Sequence, residues 1–563
     1  MATATTSPAL LPFDRSTRSY RLRWWVLAVL CLSLLVIIVD NSILNVALPH
    51  LQTDLDATFS QLQWMVDSYT LVFACLLLTA GSLGDRFGRK GALQFGMVVF
   101  GLGSLLSAFA TSPTQLIATR ALMGVGGAFI MPSTLSLITN VFPPEERGRA
   151  ISYWAAIAGI GVALGPVSGG LLLEHFYWGS IFLVNLPIVA VALVAGAYLL
   201  PKSKDPSHPR LDLVGAGLSI VGLMSLVYGI IEGPTEGWTS TKILTAFAIA
   251  IVVLGAFAWW ELKSSHPMLS LSVFENPRFS AASLGLMLIF FAMFGATFLL
   301  TQYLQSIMGF SALKAGAALL PWAGVMLVVA PLSARLAERF GSKLVVGTGL
   351  SFATLSLALM STLPAENISY VTDVLPRLFL LAIGMGLVMA PATESIMGSL
   401  PRAKAGVGSA MNDTTRQVGG ALGVAVVGSV MLSVYGGRVG DALTNAKLPI
   451  PPDLISQSKQ NLSTALAVAT DKRIPVGVQT KLVTQINEAF VAGMHRGVLF
   501  AATATLIGAI IVFKYLPAHG TDADGVPEAE SPEQIRAEMA SAGAPTNGVT
   551  PNGSESPALV PKE

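Results

Sequence analysis

Gly81-Ser82-Leu83-Gly84-Asp85-Arg86-Phe87-Gly88-Arg89-Lys90 falls where one apolar run, residues 64–83, ends and the next, 91–110, begins. Either run is long enough to cross a bilayer as a helix, which takes about 20 mostly apolar residues. The charges between them cannot rest in hydrocarbon, and the glycines let the backbone reverse within a few residues. The stretch therefore reads as a tight, charged hairpin turn on the cytoplasmic side, between two spanning helices.

Composition extends that reading to the whole chain. Of 563 residues, 53% are hydrophobic and only 12% are charged, and the mean hydropathy is +0.66. Soluble domains carry about 25% charged residues. The net charge of +2 gives no reason to expect a nucleic-acid partner. Cys31 and Cys75 are the only cysteines, and both lie inside apolar runs, too few for a disulfide framework or a zinc site. The first twenty or so residues are polar and basic and lead straight into a full span, unlike a cleavable signal peptide.

Fourteen segments qualify as spans: 24–48, 64–83, 91–110, 115–139, 149–172, 179–199, 213–232, 243–262, 279–304, 315–337, 343–362, 372–396, 409–434 and 492–516. Basic residues concentrate in alternate connections: Arg15 to Arg23, Arg86 to Lys90, Arg147 and Arg149, Lys202 to Arg210, Lys263 and Arg278, Arg335 to Lys343, and Arg402 with Lys404. Positive charge stays on the cytoplasmic side, so the expectation is a multi-pass cell-membrane protein with both termini cytoplasmic. Residues 435–491 read as a long polar connection on the outer side, broken by Pro449-Ile450-Pro451-Pro452 and with a helical pattern at 477–490. Residues 517–563, rich in Pro, Ala, Gly, Ser and Glu, cannot bury a core and read as a disordered cytoplasmic tail.

The chain also repeats itself. Ser333-Ala-Arg335-Leu-Ala-Glu338-Arg339-Phe-Gly341-Ser-Lys343 matches the first hairpin, and Arg120…Gly127-x-x-x-x-Pro132 returns as Arg377…Gly386-x-x-x-x-Pro391. The expected layout is a cytoplasmic segment 1–23, a six-helix bundle 24–199, two additional helices 213–262, a second six-helix bundle 279–516 and the tail. No phosphate-binding loop of the G-x-x-x-x-G-K-[ST] kind is present and nearly every long segment is apolar, so no ATPase, enzyme activity, metal or other cofactor is implied.

A second motif, Gly161-x-x-x-Gly165-Pro166-x-x-Gly169-Gly170, occupies the span 149–172. Glycines four apart form a smooth face for close helix packing, and the proline bends the helix. With the charged hairpin, this motif resembles the signature of major facilitator superfamily transporters. The sequences around Asp40, Trp64-x-x-Asp67-x-Tyr69, Arg120 with Gly124 and Gly127, Ile181-Phe-Leu-Val-Asn185-Leu-Pro187 and Tyr228-Gly229-x-x-Glu232-Gly233 are similar to its fourteen-helix branch of drug:proton antiporters, over residues 24–516. The resemblance implies an all-α polytopic fold of two six-helix bundles with two extra central helices. It also implies that Gly81, Gly84, Asp85, Arg86, Gly88 and Arg89 form a conformational latch, and that the glycine-proline motif marks export in exchange for protons.

Ionisable side chains within spans are costly and so are functional candidates. Asp40 lies well inside the first span, Asp67 opens the second, Arg120 starts the fourth, Glu394 is late in the twelfth, and Asp413 with Arg416 is early in the thirteenth. The resemblance implies proton exchange or contact with cationic compounds at Asp40, Asp67 and Asp413, with Arg120 assisting proton release. On the residues alone, Asp67 also reads as a helix-start charge, Asp413 as the partner of Arg416, and Glu394 and Glu232 as rim groups. Phe294 and Phe298, with Phe290, Phe291 and Tyr303, offer an aromatic lining or simply core. The span 315–337 has no acid in its apolar part, which argues against dicationic cargo.

The expected scheme is a carboxylate facing a wet cavity, for which a proton and a cationic compound compete while the carrier rocks between two faces. The partners implied are amphipathic small molecules, protons and lipid. A dedicated exporter of one natural product, lipid or siderophore is the alternative. A non-transporting sensor or scaffold and an uptake carrier are weaker ones.

Overall fold

The structure, a computed structural model, describes residues 18–203, 212–264, 267, 271–399, 405–446 and 448–518; some side chains within these helices, Asp85 among them, are also outside the description. The tail beyond Ala518, most of the segment before Arg23, and Lys204, Arg210, Arg402 and Lys404 lie outside the described residues.

Every regular element among the described residues is helical. Fourteen helices of spanning length follow one another. The first six are α1 (Arg23–Asp54), α2 (Phe59–Phe87), α3 (Arg89–Ala108), α4 (Pro113–Val141), α5 (Pro144–His175) and α6 (Ser180–Leu199, broken at Val184). Then come α7 (Leu213–Glu236) and α8 (Thr241–Lys263). The last six are α9 (Pro277–Gln302), α10 (Ala312–Phe340, broken after Ala317), α11 (Ser342–Met360), α12 (Leu375–Gly398), α13 (Ala405–Asn445) and α14 (Val476–Tyr515). Twelve are long and apolar enough to cross a membrane by length and composition. The protein is thus a multi-pass membrane protein, and each of the fourteen expected spans falls on one helix.

Within the first six helices, α4 packs on α2 and α3, and α1 packs on α5 and α6. Within the last six, α13 packs on α9 and α14, and α12 packs on α10 and α11. Without a hydrophobic drive between helices in lipid, such pairs depend on close backbone approach through small residues. A methyl on Gly126 of α4 would stand 2.7 Å from the Gly96 carbonyl of α3, and one on Gly384 of α12 would stand 2.6 Å from the Gly349 carbonyl of α11. The same helix pair is sealed in the same way in both halves.

The hairpin is tighter than a glycine-rich loop. Helix α2 runs to Phe87 and α3 starts at Arg89, so Gly88 alone turns the chain, at φ 124°. Gly341 does the same between α10 and α11, at φ 83°. Gly88 donates its N–H to the Gly84 carbonyl at 2.9 Å, and Gly341 to that of Ala337 at 2.8 Å. The next residue then reaches the chain beyond the last helix of its own half: Arg89 N–H donates to Ser203 O and Ser342 N–H to Ala518 O, both at 2.9 Å. The internal repeat is therefore a repeat of hydrogen bonding as well as of sequence.

These hairpins define one end of the molecule, called the hairpin end below; the opposite end is the far end. The ion pair Arg23–Glu146, at 2.6 Å between α1 and α5, and the Ala518 contact place both described chain ends at the hairpin end. Residues 435–491 are not an irregular loop. The helix α13 continues through Asn445, α14 begins at Val476, and two short helices, Pro452–Ser458 and Leu462–Ala469, fill the gap. Pro452 opens the first of these, at a position where its missing N–H costs nothing.

A Gly88→Ala substitution forces a side chain into a backbone region reserved for glycine, at a cost of about 1–3 kcal/mol. Gly91→Ala adds a methyl that meets nothing. The thermal midpoint of the detergent-purified protein should fall for the first and hold or rise for the second.

Candidate functional site

Asp40, midway along α1, is 0% exposed, and so is Arg120 of α4. Arg120 Nη1 donates to Asp40 Oδ2. The other carboxylate oxygen, Oδ1, accepts from Asn185 Nδ2 of α6 at 2.9 Å, and the same amide reaches Ser104 Oγ of α3 at 3.1 Å. Ser104 in turn donates to the Phe182 carbonyl at 2.8 Å. Arg120 also donates Nε to the Met65 carbonyl of α2 at 3.2 Å and lies over the Tyr69 ring, 4.4 Å from its centroid. Five of the first six helices thus meet around one ion pair. A charge taken out of water needs both a counter-charge and hydrogen bonds, and here each carboxylate oxygen has its own donor. In this conformation Asp40 faces the interior of the first bundle, not a wet cavity.

Asp67 is placed differently. It is 0% exposed, yet among the described residues neither carboxylate oxygen has a hydrogen-bond partner. It lies one turn along α2 from Gln63, whose Nε2 donates to the α13 carbonyls of Val424 at 2.9 Å and Ala425 at 3.0 Å. Residues four apart share a helix face, so Asp67 sits on the side of α2 that meets the second half. Arg120 is held by Met65 and Tyr69, two positions away on either side and hence on a different face of α2. A bare anion in such a place is costly, and a proton or an organic cation removes that cost.

The second half has its own charged cluster. Arg416 Nη1 stands 3.8 Å from Asp413 Oδ1 on α13, and Arg416 Nη2 donates to Thr393 Oγ1 of α12 at 2.9 Å. Thr393 donates to Asn412 Oδ1 at 3.2 Å, and the guanidinium lies 5.6 Å from the Phe290 ring of α9. Both side chains keep some exposure, 16% for Asp413 and 22% for Arg416, against none for Asp40 and Arg120. Glu394 is exposed and lies next to Thr393 in sequence.

The glycine-proline face of α5 serves two neighbours. Methyls on Gly161, Gly165 and Gly169 would meet Ile38, Ser42 and Ile43 of α1, the nearest at 1.8 Å from Ser42 Oγ. Gly170 abuts the Leu313 backbone of α10, and Gly316 of α10 abuts the Pro166 carbonyl. The motif therefore seats α5 against Asp40's own helix and against the opposite half. Phe298 is fully buried and packs edge-on against Phe59 of α2, with centroids 5.3 Å apart. Phe294 is half-buried and lies against Gly420 and Phe290.

These cross-half contacts lie toward the far end, and others join them there. Gln305 Nε2 donates to the Val46 carbonyl at 2.8 Å, Phe59 N–H to Gln460 O at 2.8 Å, and Asn461 Nδ2 to Ala57 O at 3.1 Å. The far end is closed in this conformation. At the hairpin end, Gly81 and Gly84 of the charged motif pack against Pro132 and Ser133 of α4. Arg86 is exposed, and Arg89 approaches Ser203 Oγ at 3.4 Å. The Asp85 side chain and residues 400–404 lie outside the described residues.

Comparison with known proteins bears on the whole arrangement. The sequence model of the Major Facilitator Superfamily matches residues 30–424. The multidrug efflux pump LfrA of Mycolicibacterium smegmatis is 35% identical over 88% of this chain and 97% of its own. The tetracenomycin C resistance and export protein of Streptomyces glaucescens is 31% identical over 92% of this chain and 95% of its own. In fold, the chain is similar to a bacterial homologue of the lysosomal transporter Spinster, with TM-score 0.59 and 17% identity over 88% of this chain and 98% of that one.

If the central pair is energetically coupled, Arg120→Leu strands the buried Asp40 charge and should cost about 3–5 kcal/mol. The double variant Asp40→Leu/Arg120→Leu should lose much less than the sum of the two single changes. Unfolding midpoints of the four purified proteins measure this; additive losses would mean that the pair does not interact.

Proposed function

We propose that this chain, which belongs to the Major Facilitator Superfamily, exports hydrophobic, often cationic compounds in exchange for protons by alternating access. The observation that carries the reading is Asp67. It is an acid in a spanning helix, sealed from solvent, with no donor on either oxygen among the described residues, on the face between the two halves. Such a group accepts either a proton or an organic cation but not both at once. The relatives named for multidrug efflux and for antibiotic export support the cargo class.

The working division is a cytoplasmic segment 1–23, bundles 24–199 and 279–516, the added pair 213–262 and a cytoplasmic tail from 517. The hairpin end faces the cytoplasm, in keeping with the basic residues Arg86, Arg89, Lys90, Arg335, Arg339 and Lys343 there. The closed far end then faces outward, and this conformation is the one that loads cargo from inside. Cargo displaces the proton on Asp67, the halves rock about the α5–α10 seat, and external protons displace the cargo. Asp40 and Arg120 hold the first bundle's charges in register with α2 through Met65 and Tyr69, so a shift of α2 reaches the pair directly. Asp413 with Arg416 offers a second, more exposed acid on the opposite wall. The hairpin from Gly81 to Lys90 latches the hairpin end, and the face from Gly161 to Gly170 is the pivot.

A dedicated exporter of one natural product is the second reading, favoured by the relative named for tetracenomycin C. A panel of chemically unrelated compounds in growth and efflux assays separates the two.

In proteoliposomes with an imposed proton gradient, Asp67→Asn should abolish proton-driven uptake of a lipophilic cation and also weaken exchange of that cation without a gradient, since the amide holds neither proton nor cation. Wild-type-like coupling in Asp67→Asn would overturn the assignment.

A further inference from the structure

Helix α7 lies across the seam between the halves. On one side it meets α2: Trp64 Nε1 donates to Glu232 Oε1 at 3.0 Å, and Ser60 Oγ is 3.3 Å from Thr235 Oγ1. On the other it meets α13, where Ser429 Oγ donates to the Ile230 carbonyl at 2.7 Å. Between these bonds one apolar cluster joins all three helices: Leu71 of α2, Val227 and Ile231 of α7, and Ala421 and Ala425 of α13. Helix α8 is fastened to α7, with Gly222 against Leu254, Gly229 against the Phe247 ring, and Asp212 accepting from Trp260 Nε1 at 2.9 Å. The α7–α8 hairpin is thus one body resting on two others.

We infer that Glu232 is a positioning residue that fastens this hairpin to α2, so that the hairpin travels with the first half and the α7–α13 contact is the seam that parts. The inference rests on alternating access as proposed above: opening the far end draws α2 away from α13, and α7 cannot follow both. The two attachments differ in kind. Toward α2, an indole N–H meets a half-buried carboxylate, a charge-assisted bond that strengthens away from water. Toward α13, the contact is made of alanines and one neutral hydrogen bond, Ser429 to the Ile230 carbonyl. Ser429 is also free to turn back to a carbonyl of its own helix, a common resting place for helical serines. Ile230 O has no ladder donor, because Pro234 four residues on lacks an N–H, so parting here gives up one neutral hydrogen bond, weaker than a charge-assisted one. One face grips and the other slides.

The test uses the full chain in proteoliposomes, with Cys31 and Cys75 replaced by alanine. Glu232→Gln keeps an acceptor for Trp64 and should transport within about twofold of the parent, whereas Glu232→Leu should fall about tenfold or more. A disulfide between Ser60→Cys and Thr235→Cys ties α7 to α2 covalently. It should leave transport intact and restore it to Glu232→Leu, a rescue that a purely structural or proton-carrying role would not give. A disulfide between Ile230→Cys and Ser429→Cys should stop transport until reduced. Loss of transport in Glu232→Gln, arrest by the α2 link, or failure of the α13 pair to cross-link or to arrest would each overturn the inference. If the parent itself shows no proton-driven transport, the exporter reading falls instead, independently of the clasp.

Discussion

The Asp40–Arg120 pair sets the terms for the first bundle. Two full charges held in a helix bundle within hydrocarbon are tolerable only if each is matched by the other and by local hydrogen-bond partners, donors for the carboxylate and acceptors for the guanidinium. That requirement fixes which faces of the surrounding helices point inward: α6 must present Asn185, α3 must present Ser104, and α2 must offer the Met65 carbonyl and the Tyr69 ring. A rotation of any one of these helices would leave a charge or an amide unmatched. The pair therefore does more than neutralise itself; it registers five helices against one another.

Because that register holds Met65 and Tyr69 toward Arg120, it turns Asp67 the other way, toward the second half. The two acids of the first bundle thus have complementary standing. Both Asp40 oxygens are matched within its bundle, whereas Asp67 is buried on the face where the halves meet, without a donor among the described residues. In the proposed exchange the two take different parts: Asp40 as a fixed charge that keeps the bundle rigid, and Asp67 as an unmatched acid whose occupancy changes the energy of closing the seam. The more exposed Asp413–Arg416 cluster stands on the other wall, so the charged groups are not shared evenly between the halves.

Much of this was legible in the sequence because the signals are local. A spanning helix declares itself through an apolar run, and the turns at Gly88 and Gly341 declare themselves through a glycine that only a reversal needs. Close packing at Gly161, Gly165 and Gly169 is written in their spacing. The partners of Asp40 were not legible, since Asn185 lies 145 residues away. Asn185 stood in a quoted motif, and a lone amide inside the apolar span 179–199 was the available clue. Nor was the folding of residues 435–491 into helices legible. The prolines read as breakers, but Pro452 starts a helix, and the helical pattern at 477–490 was the front of α14 rather than an isolated element. Glu232 read as a rim residue because its partner, Trp64, comes from a helix far away in the chain.

The added helices show how a two-half carrier can accommodate an insertion between its halves. An inserted hairpin that bound both halves equally would resist their motion, and one that bound neither would be free in the bilayer. Placing the polar grip on α2 and small alanines on α13 avoids both outcomes. The same asymmetry appears at the α5–α10 seat, where Gly170 and Gly316 meet backbone on the opposite half with no side chain to unpair. Contacts that must hold are made from charged side chains, whereas contacts that must part are made from small residues, backbone and the neutral amide bonds of Gln63, Gln305 and Asn461. On that distinction the Asp40 cluster and the Trp64–Glu232 bond belong together, both binding elements that move as one.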